Sequence, residues 1–403
     1  MELDLAILNL NSIVTPVSSG PVRGRGMTRI ECIKESNIGI MNGKIVYIGP
    51  EIPTAEKYID GRGLIAIPGF IDCHTHIPFT GDRSREFLMR LEGKSYMDIM
   101  KAGGGIRSTS EAVRRTPATA LMAESFRFLD SMLSLGVTTV EGKSGYGLER
   151  EGELKQLRVL EALGELHPID VFSTFLGAHA LPEEYSSRDE YLSSMIEIFD
   201  EVRKLTDTID IFCEDGVFNV DQSRRYMLAA IESGFRIRIH ADELSSSGGG
   251  LLAVELGAVS ADHLISADDI TIQALAKSDT IATLLPGTSF FLNESFARGR
   301  ELIDRGAIVA IASDFNPGSC NIYNPFIVMF LAVTRCGLKV EEAITAYTAN
   351  AAAVLGVEDR KGLIREGYDA DLVLLRAGDY PEVVYNFSRD IVSNVIKNGN
   401  IVA

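Results

Sequence analysis

The chain has 403 residues, 46% of them apolar and 24% charged, a globular profile with room for one large domain and a smaller one. Its 39 Lys and Arg against 56 Asp and Glu leave a formal charge of -17. That balance argues against nucleic acid and anionic membrane as partners, and a small anionic substrate would need an arginine of its own.

Five cysteines, Cys32, Cys73, Cys213, Cys320 and Cys336, have no C-x-x-C spacing and are odd in number. Neither a disulfide framework nor a zinc ribbon is indicated, and a reducing cytoplasm is the expected location. The start, Met1-Glu2-Leu3-Asp4, lacks the basic region of a signal peptide, and the apolar run Phe326 to Val333 is too short to span a bilayer.

In chain order, the first 65 residues alternate as short strands. Ile38 to Met41 and Lys44 to Ile48 flank Asn42-Gly43, a strong hairpin signal. Next, the apolar run Ile65-Ala66-Ile67 reaches Pro68-Gly69, resumes as Phe70-Ile71 and ends in Asp72-Cys73-His74-Thr75-His76. Alternate residues of an extended strand share a side, so His74 and His76 project together and would suit one metal ion. From there apolar strands alternate with amphipathic helices, the pattern of repeated β/α units around a parallel sheet. Strands are predicted at 70–74, 137–141, 171–176, 209–213, 236–240, 258–262, 280–285 and 307–312, and helices at 119–135, 151–166, 189–205, 223–233 and 340–355. Eight such strands suggest a closed barrel, whose post-strand loops would build the active site; the glycine cluster 103–105 and the tract 245–250 are expected as flexible loops there. The chain end repeats the opening pattern, with 371–375 strand-like and a second hairpin around Asn398-Gly399. Both termini are therefore expected to share one small β-domain, residues 1–65 with 358–403, around a catalytic domain of residues 66–357.

The polar residues at the predicted strand ends are His74, His76, Glu141, Lys143, His179, Glu214, His240, Glu243, His263 and Asp314. Five of the six histidines fall there; the other, His167 before Pro168, reads as a surface or capping residue. A barrel rim is solvated, so packing alone does not call for imidazoles at it. Three imidazoles and a carboxylate suit Zn²⁺ or Fe²⁺ with a position left for water, and His74, His76, His240 and Asp314 are the candidate ligands. Glu243 is placed to move a proton. On spacing alone Asp314 reads equally as a turn or capping aspartate before Asn316-Pro317-Gly318, and Glu243 as a helix-initiating acid.

Those residues, with the segments 81–87, Lys94-Ser95-Tyr96, 102–106, 143–148, 175–179, 259–263 and 314–319, resemble the amidohydrolase superfamily along nearly the whole chain. The likeness is strongest to its branch that hydrolyses the imidazolone ring of 4-imidazolone-5-propanoate to N-formimidoyl-L-glutamate in histidine degradation. The resemblance implies an α/β fold, a (β/α)8 barrel with a β-sandwich from both termini, and one zinc or iron ion per subunit on His74, His76, His240 and Asp314. It further implies that Arg83, Tyr96, Tyr146, His179, Glu243, Asn316, Gly318 and Ser319 contact substrate or product, that Glu243, His263 and Asp314 are catalytic, and that the protein forms a homodimer.

The chemistry of these residues fits. Arg83 can fork onto the propionate carboxylate, whereas charge pattern alone would make 82–86 a solvated loop. Tyr146, between two glycines, can present a phenol to the same anion, with a plain surface turn as the alternative. His179 can bond the ring, and either Glu243 or His263 can serve as principal base. Cys73 stands where many relatives have proline, and its side chain should point away from the metal. Two-metal relatives often use a bridging lysine on the fourth strand; here that strand ends Phe212-Cys213-Glu214, which favours one metal, though Glu214 or Cys213 could bridge two. A deaminase or a hydantoinase-like enzyme would share the ligands but not the need for Arg83 with Tyr146. A non-catalytic relative would be expected to have lost ligands, and none is missing.

Overall fold

The computed structural model describes residues 2–94, 98 and 103–403; the expected substrate residue Tyr96 lies outside them. In chain order the strands are β1 (Leu3–Pro16), β2 (Ile30–Met41), β3 (Lys44–Gly49), β4 (Ala55–Asp60) and β5 (Leu64–Pro68), then β6 (Phe70–Asp72), β7 (Val137–Lys143), β8 (Asp170–Ala178), β9 (Thr208–Cys213), β10 (Arg236–Ala241), β11 (Ser260–His263), β12 (Ile281–Leu284) and β13 (Val309–Ile311), and finally β14 (Leu372–Arg376), β15 (Val392–Lys397) and β16 (Asn400–Ile401).

The terminal strands form one eight-stranded sheet in the order β16-β15-β14-β5-β1-β2-β3, with β4 also paired to β1. Both expected hairpins are present, and Asn42, Gly43, Asn398 and Gly399 all take the positive φ that such tight turns require. The chain ends meet where β14 runs antiparallel to β5, from Leu372 against Pro68 to Arg376 against Leu64. The sheet thus runs on to Pro68.

The strands β6 to β13 are consecutive and parallel. Each falls on a predicted strand, because strands covered on both faces read as continuous apolar runs. The two edges meet at a short seam: Thr75 bridges Phe315 in parallel, the Asp314 N–H donates to the His74 carbonyl at 3.0 Å, and the His76 N–H donates to the Phe315 carbonyl at 3.0 Å.

Helices Ala118–Ser134, Arg150–Leu166 and Val220–Glu232 lie close to their predicted spans. Two long predictions split. The span 189–205 becomes Arg188–Ile196 and Phe199–Val202, with Ile198 and Phe199 turned into the core. The span 340–355 breaks at Thr348 (φ -128°, ψ -86°). There Tyr347 reaches Asp72 and Asn350 reaches the Val309 carbonyl, contacts that one straight helix would not aim together. The stretch 82–86 is not a solvated loop: helix Ser84–Leu91 starts within it and buries Glu86. Helix Ile106–Arg115 follows directly on Gly105, and Gly249–Leu256 begins inside the tract expected as loop. His167 does end a helix, but its side chain is buried against Phe126 rather than exposed. Among the described residues no helix is long and apolar enough to cross a membrane.

The terminal sheet is tied to the barrel by charge as well as by packing. Lys361 and Lys397, both almost fully buried, point their ammonium groups at Asp371 on one side and Asp170 of β8 on the other, at 2.5–3.1 Å. Asp371 also accepts the Asn398 N–H at 2.9 Å. Removing one partner of such a cluster leaves buried charge uncompensated. Asp371→Ala is therefore expected to lower the unfolding free energy in urea by about 3–5 kcal/mol, whereas Glu201→Ala, which breaks an exposed pair with Arg150, should leave the transition unmoved.

Candidate active site

The barrel seam delivers the first candidate residues. His74 and His76 leave β6 on one side of the chain, and hydrogen bonding across the seam sets Asp314 beside them. Asp314 takes a left-handed backbone conformation (φ 56°), which a short polar residue tolerates at the end of a strand. His240 enters from the end of β10. All four side chains are buried. Asp314 Oδ1 lies 3.1 Å from His76 Nε2 and 3.5 Å from His74 Nε2, and His240 Nε2 lies 3.5 Å from His76 Nε2. Asp314 Oδ2 instead accepts from the Thr288 hydroxyl at 2.5 Å.

These residues fit a cation. His74 Nε2 and Asp314 Oδ1 face the shared centre without a well-formed hydrogen bond. The ligand atoms of His74, His76 and His240 lie within 4.8 Å of one another, and so do those of His74, His263 and Asp314. Burial pushes the His76 ring down to about 4, which leaves it a neutral donor. Burial and Lys143 also depress His74, but the Asp262 and Asp314 carboxylates outweigh them and lift it to about 9, so that a proton sits where a metal ion would replace it.

Carboxylates stand behind two of the rings. His74 Nδ1 lies 2.7 Å from Asp262 and His240 Nδ1 lies 3.0 Å from Asp210, which turns each Nε2 towards the centre. Burial alone would raise both carboxyls. Arg238 and His74 hold Asp262, and His240 and Lys143 hold Asp210, well below the usual range.

Two more candidates pack against these rings. His179 stacks on His76 at 5.1 Å with Nδ1 2.9 Å from the Gly145 carbonyl, and Tyr146 packs beside both rings. The turn carrying Tyr146 is held from below: Gln156 accepts from the Tyr146 and Gly147 N–H groups, and Glu153 accepts from that of Leu148. Tyr146 is thus not a plain surface turn residue.

Glu243 reaches 3.5 Å from His263. Burial, reinforced by Asp314 and Glu214, pushes the Glu243 carboxyl up to about 8, while burial keeps His263 and His179 neutral. Glu243 does not initiate a helix; Asp242 does that, its carboxylate accepting from the N–H groups of Gly248, Gly249 and Gly250.

Glu214 is engaged with Leu244, Ser245 and Asp215, and Cys213 sits in the core, so neither faces the histidine cluster. Cys73 is buried in an apolar cluster on the other side of the strand from His74.

Arg83 stands at the rim. Its Nε and Nη2 donate to Glu86 at 2.8 and 2.7 Å, and Glu86 also accepts the Gly105 N–H at 2.9 Å. A Cβ at residue 318 would lie 2.0 Å from Arg83 Nη1, so the guanidinium occupies space that only glycine leaves open. Asn316 organises this loop by accepting from the N–H groups of Gly318 and Ser319 while donating to the Asp314 carbonyl. Sequence reasoning missed Asp262, Asp210, Arg238, Thr288 and Glu86. Strand alternation from His240 does point Arg238 to the same face, but no spacing rule reveals a partner several strands away.

A model of the amidohydrolase family matches residues 65–402. The chain belongs to the amidohydrolase family. Within it, the chain is similar to the imidazolonepropionase of Kosmotoga olearia, 59% identical over 402 residues covering 100% of this chain and 99% of the relative. It is similar also to that of Bacillus cereus, 44% identical over 408 residues covering 99% and 96%. Among solved structures, an adenosine deaminase from Xanthomonas campestris with bound zinc aligns at TM-score 0.70 and 18% identity, covering 99% of this chain and 93% of that one. A triazine hydrolase from Arthrobacter aurescens aligns at TM-score 0.69 and 18% identity, covering 99% and 94%. These two likenesses bear on the fold of this amidohydrolase, a (β/α)8 barrel joined to a sheet from both termini.

The buried Glu153 supplies a pH test of the turn beneath Tyr146. Burial raises its carboxyl to about 7, against the hydrogen bonds it accepts, compared with about 4.3 in an unfolded chain. Between those values the folded state holds the proton and the unfolded state releases it, so this group's contribution to stability falls as pH rises from about 4 to about 7. Glu153→Gln is expected to flatten that part of the stability profile in urea titrations.

Proposed function

We infer that this amidohydrolase opens the imidazolone ring of 4-imidazolone-5-propanoate, yielding N-formimidoyl-L-glutamate in histidine degradation. The observation that carries the substrate is Arg83, a guanidinium at the rim of a buried His/Asp cluster in a strongly acidic chain, next to Tyr146 and the Asn316–Ser319 loop. A nucleobase offers no carboxylate for it. Full-length identity with imidazolonepropionases supports the same reading.

His74, His76, His240 and Asp314 would hold one zinc or iron ion; zinc is bound in the related deaminase fold. Such an ion supplies Lewis acidity and a bound water ionising near pH ~7.

The chain's own residues do the rest. Arg83 grips the propionate carboxylate through the guanidinium edge that Glu86 leaves free, and the Tyr146 phenol donates to the same group. Burial keeps that phenol protonated. Neutral His179 bonds the ring, and Asn316, Gly318 and Ser319 orient it through backbone and side-chain groups. Glu243 takes the proton of the attacking water and returns it to the ring nitrogen as the C–N bond breaks, with His263 alongside. A carboxyl lifted to about 8 is matched to both halves of that transfer near neutral pH. Tyr96 is proposed to join the substrate contacts.

The domain limits proposed are 1–65, 66–357 and 358–403. We propose a homodimer acting in the cytoplasm; five unpaired cysteines agree with that compartment.

Four outcomes are expected. Chelation should abolish turnover of 4-imidazolone-5-propanoate, with zinc or iron restoring it. Glu243→Gln should lower kcat by about 10²–10⁴-fold with metal still bound; full turnover would remove Glu243 from proton transfer. Arg83→Ala should chiefly raise KM, and Gly318→Ala, which displaces the same guanidinium, should raise KM in the same direction.

A further inference from the structure

Beneath the candidate metal centre, seven buried side chains are joined end to end. His74 Nδ1 meets Asp262 at 2.7 Å, and Asp262 meets Arg238 Nη2 at 2.7 Å. Arg238 Nη1 meets Glu141 at 2.6 Å, Glu141 meets Lys143 at 2.7 Å, Lys143 meets Asp210 at 2.9 Å, and Asp210 lies 3.0 Å from His240 Nδ1. No member is more than 2% exposed. Charge alternates along the path, from Asp262 through Arg238, Glu141 and Lys143 to Asp210, between two imidazoles.

We propose that Arg238 is the positioning residue of the metal centre, holding His74 through Asp262 and His240 through Glu141, Lys143 and Asp210, so that both rings are set by one rigid charge chain. The inference rests on reading His74, His76, His240 and Asp314 as the metal ligands.

Three observations carry it. Arg238 holds His74 twice, since Nη2 binds the carboxylate behind the ring while Nη1 also donates to the Cys73 carbonyl at 2.9 Å, fixing the backbone just before it. Its Nε is taken by Ser260 at 2.9 Å, so the planar fork has a single orientation. Glu141 Oε1 receives Arg238, Lys143 and the Thr174 hydroxyl together, which joins the two halves of the chain. Such an arrangement is costly to bury for stability alone. Three carboxylates and two cations, all buried, are held only because each has a partner at hydrogen-bond distance, and apolar residues would fill the space at least as stably. Its return is orientation: a carboxylate fixed behind an imidazole keeps the proton on Nδ1 and the Nε2 lone pair towards the centre.

The test uses the full-length protein stripped of metal, with cobalt(II) as probe in competition with a chelator and its visible d–d spectrum recorded. Arg238→Lys keeps the charge and loses the fork; Glu141→Gln keeps the shape and breaks the alternation. Arg238→Lys is expected to weaken cobalt affinity about 10–100-fold and alter the d–d bands, and Glu141→Gln to act in the same sense by a smaller factor. Asp371→Ala, destabilised at the distant sheet–barrel contact, should bind cobalt as wild type does. Folded Arg238→Lys and Glu141→Gln proteins with wild-type spectra and affinities within about twofold of wild type would overturn the proposal, as would loss of affinity in all three variants in proportion to stability. Wild-type affinity for cobalt in His74→Ala would instead overturn the ligand reading, and this inference with it.

Discussion

The rest of the molecule depends on the seam that closes the barrel. Among the described residues its first and last strands are paired by a Thr75–Phe315 bridge and by two backbone hydrogen bonds, Asp314 to His74 and His76 to Phe315. The backbone that completes the cylinder is therefore the backbone that places three of the four candidate ligands. A one-residue slip would turn His74 and His76 to the opposite face. Elsewhere in the barrel the strands are joined by register along several residues.

Electrostatics has two regimes around that seam. Below it, carboxylates are held under their usual range by buried cations, and they act as fixed supports. Above it, burial together with Asp314 and Glu214 raises the Glu243 carboxyl to about 8, where it can exchange a proton near neutral pH. The same residue type is fixed as a scaffold or, in the role proposed for Glu243, left able to carry a proton, according to what faces it.

The rim adds a third arrangement. Arg83, the cation proposed to meet the anionic substrate, is half engaged by Glu86. That pairing fixes the guanidinium plane before any ligand arrives, and Gly318 leaves the space for it.

By itself the sequence determined the eight strands, the shared terminal sheet, both Asn-Gly hairpins and the strand-end cluster of His74, His76, His240, His263 and Asp314. These follow from local signals, since apolar periodicity, turn residues and strand alternation act over a few residues. It did not reveal the helix at 84–91, because charge pattern alone cannot show that Glu86 turns inward to meet Arg83 and Gly105. Nor did it reveal the break at Thr348, where two half-helices serve contacts as distant in sequence as Asp72 and Val309. The supports of the site, Asp262, Asp210, Arg238 and Thr288, were decided only by the tertiary structure. Their partners lie on other strands, and which carboxylate stands behind which imidazole depends on the stagger of a closed barrel, a quantity that no local window of residues contains.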